Sequence, residues 1–357
     1  MNSWQHKNNN LKSNCMKVTI NDVAKLAGVS MKTVSRVINK EPSVRKKTYD
    51  VVMEAVNELN YQPNLAARNL AGTSSFTVGL VYDNPNAYYV IDMQNGVLSR
   101  CKDEGYELVI HPCNYADDNM EQDIKTMIKR SRLAGLVLTP PLSEQSSITN
   151  MLDELNIHYV RVLSGRPTDE DQDTCIYVND YKAAYEITSH LLTLGHKNIG
   201  FICGDKEHKS TSERLEGYKA ALEDHNSQAN SDFIYDGKYS FESGVEGAKA
   251  LLADNNKLAI TAILGGNDEM AAGALFASRL MGIQIPEQLS ITGFENSPFS
   301  RQTWPKLTTA HQENDVISQH AARLLFTKTR GARNQDKEII TTFTPSIVVR
   351  DSSGPKL

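Results

Sequence analysis

The chain lacks any apolar run long enough to cross a bilayer, and its first fifteen residues, MNSWQHKNNNLKSNC, are polar where an export signal needs an apolar core. These absences point to a cytoplasmic protein without membrane contact. Five cysteines, at positions 15, 101, 113, 175 and 203, form no close pair and no metal-ligand spacing, so scattered reduced thiols are expected rather than a disulfide framework. The nine histidines show no zinc spacing either, and neither a metal nor a cofactor is expected. Also missing are a serine nucleophile elbow, a phosphate-cradling glycine loop and a dinucleotide fingerprint, which argues against an enzyme. The last stretch carries no leucine heptads, so no terminal coiled coil is expected.

What the chain does have is an uneven charge. Its net charge of −5 would, as an average, speak against a nucleic-acid partner. Counted by segment, residues 16–75 carry a balance of +4 and residues 76–357 one of −11. A small basic head precedes a large acidic body.

The head contains VTINDVAKLAGVSMKTVSRVINK, residues 18–40. Ile20, Val23, Ala24 and Ala27 recur at helical spacing, as do Val34, Val37 and Ile38 after Gly28. Gly28 suits a helix end that needs a positive φ, and Ser30 suits the cap of the next helix. The second helix then turns Met31, Lys32, Thr33, Ser35 and Arg36 outward, side chains able to reach base edges or phosphates from a major groove. A third helix is expected over about 45–60, with Val52, Ala55, Val56 and Leu59 on one face and Arg45, Lys46 and Lys47 near phosphates at its start. Pro63 ends it, and residues 64–71 can form a short helix whose order depends on a partner. Residues 1–15 read as a disordered tail, with translation starting at Met1 or Met16.

From Phe76 the texture alternates strand and helix. Strands are expected at 77–82, 107–111, 135–139, 158–163, 198–203, 233–236, 259–264 and 289–292, with helices near 90–104, 119–131, 145–155, 180–194, 211–226, 242–254, 268–281 and 313–328. That order means open α/β, and its length favours two parallel sheets. Ligands of such sheets sit beyond the strands' carboxyl ends, which draws attention to Asp83, Asn84, Tyr88, Tyr89, Ser164 to Arg166, Asn267, Asp268, Glu295 and Asn296, with Arg214 and Tyr239 able to converge on the same cleft. Asp268 reads equally as a helix cap, and His196 as a structural histidine tying down a helix end.

These residues carry a resemblance. VTINDVAKLAGVS, TVSRVIN, AVNELNYQPN and AARNLAG resemble the DNA-binding head of the lactose and galactose repressor family. LGHKNIGFICG, ERLEGYKAAL, GGNDEMAAGAL, MGIQIPEQLSITGFEN and PKLTTAHQ resemble that family's regulatory core, which is similar to periplasmic sugar-binding proteins. The resemblance implies a small all-α helix-turn-helix domain plus an α/β periplasmic-binding-protein-like core of two doubly wound parallel-sheet subdomains. It implies a tail over 1–15, a DNA-binding domain over 16–62 and a hinge helix and linker over 63–75. The core would run over 76–350, with one subdomain about 76–178 and 306–330, the other about 179–305 and 331–350, and a tail over 351–357.

It further implies a transcriptional repressor that binds a pseudo-palindromic operator in double-stranded DNA as a homodimer. Thr19, Ser30, Met31, Lys32, Thr33, Ser35, Arg36, Asn39 and Asn64 would touch DNA, with Leu70 wedged into a central base step of the minor groove and Ala67 alongside. Asp83, Tyr89, Ser164, Arg214, Tyr239, Asn267 and Glu295 would hold a small effector. An arginine, an amide, a carboxylate and an aromatic face suit a sugar or sugar derivative, and a nucleobase or nucleoside could stack on the same aromatics. The family's usual residue at Glu295 is aspartate. A receptor that binds ligand but not DNA is the remaining alternative, disfavoured by the basic head.

Overall fold

The computed structural model describes residues 18–38, 43–61, 75–167, 174–227, 229–253, 259–330 and 339–356. The chain divides into two units, residues 1–74 and 75–357. Among the described residues no helix is long and apolar enough to cross a membrane.

Among its described residues the first unit holds three helices, α1 (Ile20–Leu26), α2 (Met31–Ile38) and α3 (Lys46–Glu58). Each is too short to be stable in water alone, so packing must hold them. Val23, Ala24, Val34, Val37, Val52 and Ala55 form one buried cluster. Gly28 lies at φ +65, in the left-handed region where glycine carries no Cβ penalty. Ser30 Oγ accepts the Thr33 N–H at 3.2 Å and so caps α2. At the start of α1, Asp22 accepts the Thr19 N–H at 2.9 Å and the Thr19 hydroxyl at 2.7 Å.

The second unit contains two six-stranded sheets. In chain order its elements are β1 (Thr77–Tyr82), α4 (Ala87–Glu104), β2 (Glu107–Pro112), α5 (Met120–Ser131), β3 (Gly135–Leu138), α6 (Ser146–Glu154), β4 (His158–Ser164) and β5 (Cys175–Val178). There follow α7 (Asp180–Thr193), β6 (Ile199–Cys203), α8 (Lys209–Asp224), β7 (Ile234–Asp236), α9 (Phe241–Ala253), β8 (Ala262–Gly265), α10 (Asp268–Leu280) and β9 (Ser290–Glu295). The chain closes with α11 (Pro298–Gln302), β10 (Thr308–His311), α12 (Asn314–Thr329), β11 (Thr342–Phe343) and β12 (Ser346–Val348).

The first sheet runs β11-β5-β4-β3-β1-β2 and the second β12-β10-β9-β8-β6-β7. All pairings are parallel except β10 with β12. Parallel strands covered by helices on both faces are continuous apolar runs, as in TVGLVY and IGFIC. In the first subdomain, α4 and α12 pack on one face and the apolar sides of α5 and α6 on the other. In the second, α7 and α8 lie on one face and α9 and α10 on the other.

The subdomain boundaries differ from the expected ones in two places. Of residues 306–330, expected in the first subdomain, α12 packs there, but β10 pairs with β9 of the second. Residues 331–350 were expected in the second, but β11 pairs with β5 of the first. The chain therefore crosses between the sheets after β5, after β10 and after β11. These differences, and the unforeseen strands β5, β10, β11 and β12, share one cause. Strands of two to four residues, several of them threonine-rich, are too short to display a period.

Candidate functional site

The first unit presents one face of α2. Val34 and Val37 are buried, whereas Met31, Lys32 and Arg36 are exposed and Thr33 and Ser35 half-buried. Ser30 and Thr33 are engaged with each other, their hydroxyls 2.9 Å apart. Their main role here is local order at the helix start, which fixes how the next turns project. Asn39, Asn64, Ala67 and Leu70 lie outside the described residues.

The second unit holds a cavity of about 40 Å³ between the carboxyl ends of the two sheets, enough for a few waters. Arg214, on the second turn of α8, is the arginine in its wall. Its Nε and Nη2 reach Asp180 Oδ1 at 2.8 and 2.7 Å, and its Nη1 donates to the Gly266 carbonyl. The guanidinium also lies 3.7 Å over the Phe294 ring. Asp180 opens α7, and its Oδ2 accepts the Ser164 hydroxyl at 2.6 Å from the end of β4. A buried ion pair is thus tied to both subdomains.

Tyr239 forms a second wall. It adopts φ +59, a left-handed conformation that is costly for a bulky residue and is held by its surroundings. Its hydroxyl lies 2.8 Å from Thr211 Oγ1 and 3.1 Å from Ser210 Oγ, and its ring meets the His208 ring edge-on at 5.4 Å. Asn267 caps α10 by accepting the Met270 N–H at 2.8 Å, and its Nδ2 donates to the Tyr239 carbonyl at 3.2 Å.

Besides the Ser164–Asp180 bond, further hydrogen bonds span the cleft. Asn86 donates from Nδ2 to Glu295 Oε2, while its Oδ1 caps α4 by accepting the Tyr88 and Tyr89 N–H groups. Glu144 Oε2, from the first subdomain, accepts the Lys209 N–H at the start of α8 at 3.1 Å. An edge-on contact of Tyr88 with Phe299, centroids 5.7 Å apart, adds an apolar link. Burial pushes the Glu295 carboxyl up to about 8 against the pull of Arg214, and pushes Glu144 up to about 7 against the Lys209 hydrogen bond. Burial lowers the His208 imidazole.

Comparison with known proteins shows what these units belong to. Residues 19–64 match the lacI family of bacterial regulatory proteins, and residues 188–353 match the periplasmic binding protein-like domain. The chain is 33% identical over 337 residues to the HTH-type transcriptional repressor PurR of Histophilus somni (strain 129Pt), covering 94% of this chain and 98% of that one. It is 31% identical over 344 residues to the HTH-type transcriptional regulator DegA of Bacillus subtilis (strain 168), covering 95% and 99%. The chain belongs to the LacI family of bacterial regulatory proteins. Among solved structures, the Lac repressor dimer bound to operator and the anti-inducer ONPF aligns with a TM-score of 0.69 at 27% identity, covering 94% of this chain and 99% of that one. A complex of the transcriptional regulator CelR with cellobiose aligns at 0.68 and 25% identity, also covering 94% and 99%.

As a LacI-family member the protein is a DNA-binding transcriptional regulator. Of the effector residues expected for this LacI-family core, Tyr89, Ser164, Arg214, Tyr239, Asn267 and Glu295 line one cavity. Asp83 does not line it. Its Oδ2 accepts the Tyr115 N–H at 2.7 Å, so the carboxylate ties down the loop after β2. Asp268 is not the cap of α10 either. It is fully buried, accepts the Ser297 N–H at 2.6 Å and the Thr309 hydroxyl at 2.5 Å, and burial pushes it up to about 7. His196 has the structural role expected, its ring nitrogens 3.0 Å from Thr261 Oγ1 and 2.9 Å from the Gly354 carbonyl. The sequence reading missed Asn86, Asp180, His208, Ser210 and Gln312, all in the cavity wall. Asp180 had a usable signal, since an Asn-Asp pair opening a helix marks a strand end just before it.

Proposed function

We propose that the protein is a repressor that works in the cytoplasm as a homodimer, with two α2 helices reading the halves of a pseudo-palindromic operator and a small effector in the core cleft setting operator affinity. The effector is a sugar or sugar derivative. One observation carries this reading: Arg214, Tyr239, Asn267 and Glu295 converge with Asn86 and Ser164 around one polar cavity that both subdomains build. An aromatic wall beside ordered hydrogen-bonding groups suits the two faces of a sugar ring. The Lac repressor and CelR complexes, of the same fold, support the assignment by the ligands named with them.

A cavity of about 40 Å³ is too small for a sugar ring, so entry requires the Asn86–Glu295 and Glu144–Lys209 links to part. Breaking and re-forming them changes the tilt of the subdomains, and that shift is what would be passed on to the DNA-binding head. Exposed apolar side chains support the homodimer: Ile91, Leu98 and Ile110 on the first subdomain, Phe276, Leu280 and Trp304 on the second.

Isothermal calorimetry of the full chain against mono- and disaccharides, sugar phosphates and nucleosides tests the effector class. Heat from a sugar that disappears in Arg214→Ala is the expected result. Heat from a purine nucleoside with none from any sugar would replace the sugar by the nucleobase reading.

A further inference from the structure

The cations around the cleft are already committed. Arg214 gives Nε and Nη2 to Asp180 and Nη1 to the Gly266 carbonyl, so its charge is matched before any ligand enters. The Lys209 ammonium turns out toward Glu213, 4.0 Å away, and burial of the His208 imidazole disfavours its charged form. Carboxyls, by contrast, exceed partners. Glu295 is bonded to the neutral amide of Asn86 and Glu144 to a main-chain N–H, neither to a cation.

The places where a phosphate would be received are filled as well. The N-terminus of α8, a ready anion site, is occupied by the Glu144 carboxylate at Lys209, and the Met270 N–H at the start of α10 is taken by Asn267. What the cleft leaves open is acceptor capacity. Gln312, more than nine-tenths buried in the cavity wall, donates from Nε2 to Asn314 at 2.7 Å, and its Oε1 has no partner among the described residues. Buried acceptors of this kind require donors.

We infer that the cleft takes an uncharged effector rich in hydroxyl donors and rejects the phosphorylated or carboxylated form of the same compound. This inference rests on the reading of the cleft as the effector site. A phosphate dianion entering here would lose its water with no uncommitted cation among the described wall residues to receive it, whereas a hydroxyl would satisfy Gln312 Oε1.

Calorimetry of the full chain with matched pairs, cellobiose and cellobiose 6-phosphate, glucose and glucose 6-phosphate, adenosine and adenosine monophosphate, tests it. The expected result is that the phosphorylated member of whichever pair binds is weaker by roughly 100-fold or more, since burying a charge that finds no partner is costly. A phosphorylated member that binds as well as its neutral partner overturns the inference, and so does silence from every neutral compound. Binding of adenosine but no sugar upholds the exclusion of anions while removing the sugar.

Discussion

Asn86 and Glu295 meet across the cleft, the amide Nδ2 of one on the carboxyl Oε2 of the other, and the same Asn86 caps helix α4 with its Oδ1. One side chain therefore couples the order of a helix in the first subdomain to the closure of the second upon it. Asn86→Ala removes both functions. Loss of the cap costs about 1 kcal/mol of stability, read by urea denaturation, and loss of the cross-cleft bond weakens effector binding in calorimetry. Asn86→Ser, which keeps a capping oxygen, restores most of the stability and little of the affinity.

Arg214 and Asp180 form a buried pair in which either partner alone is a buried charge. Arg214→Ala costs about 3–5 kcal/mol of core stability in denaturation, well beyond the effect of deleting an exposed arginine. Asp180→Asn combined with Arg214→Gln recovers much of that loss, because two neutral groups replace an orphaned ion. Recovery of stability without recovery of effector binding separates the structural part of the pair from its ligand contact.

Glu295 makes stability depend on pH. Its carboxyl, ordinarily near 4.5, stands at about 8 in the fold because burial disfavours the charged form. Between those values the folded chain holds a proton that the unfolded chain has lost, so stability falls as pH rises from about 5 to about 8. His208, lowered by burial, works in the opposite sense, and Glu144 and Asp268 in the same sense as Glu295. Comparing the parent with Glu295→Gln at each pH isolates one group. The parent's melting temperature drops more steeply across this window than the variant's.

The proposed roles of the head and of residues 64–71 are separable by substitution. Arg36→Ala relaxes base preference in both half-sites, costing about 1–3 kcal/mol of discrimination for a lost bidentate contact. Leu70→Ala weakens operator binding and leaves effector affinity in the core unchanged. Fluorescence anisotropy with a panel of single-base operator variants reads the first, and calorimetry the second.

How far the sequence carried these conclusions depended on length and direction. The helix pair was legible because Val23, Ala24, Val34 and Val37 keep helical spacing on either side of Gly28, and all four are buried. The long apolar strands TVGLVY and IGFIC announced the sheets. Strand β5 did not, and with it Asp180 was hidden, although it anchors Arg214. Position at a strand end gives the neighbourhood of a site but not where a side chain points. Asp83 and Asn86 both follow β1, yet Asp83 holds the Tyr115 main chain and Asn86 reaches Glu295. Nor could spacing show that Asn267, rather than Asp268, caps α10, since both are good capping residues and only the three-dimensional partners decide.

The central claim is that this core and head together make an effector-controlled reader of a specific DNA site. The most direct test selects sites from a random duplex pool with the full chain at moderate salt, then titrates the recovered site against random DNA with and without effector. The account predicts enrichment of a pseudo-palindrome, binding at least roughly a thousandfold tighter than to random DNA, and a shift in that affinity on adding the compound that binds the cleft. A chain that enriches no sequence, and binds every duplex alike, would contradict it.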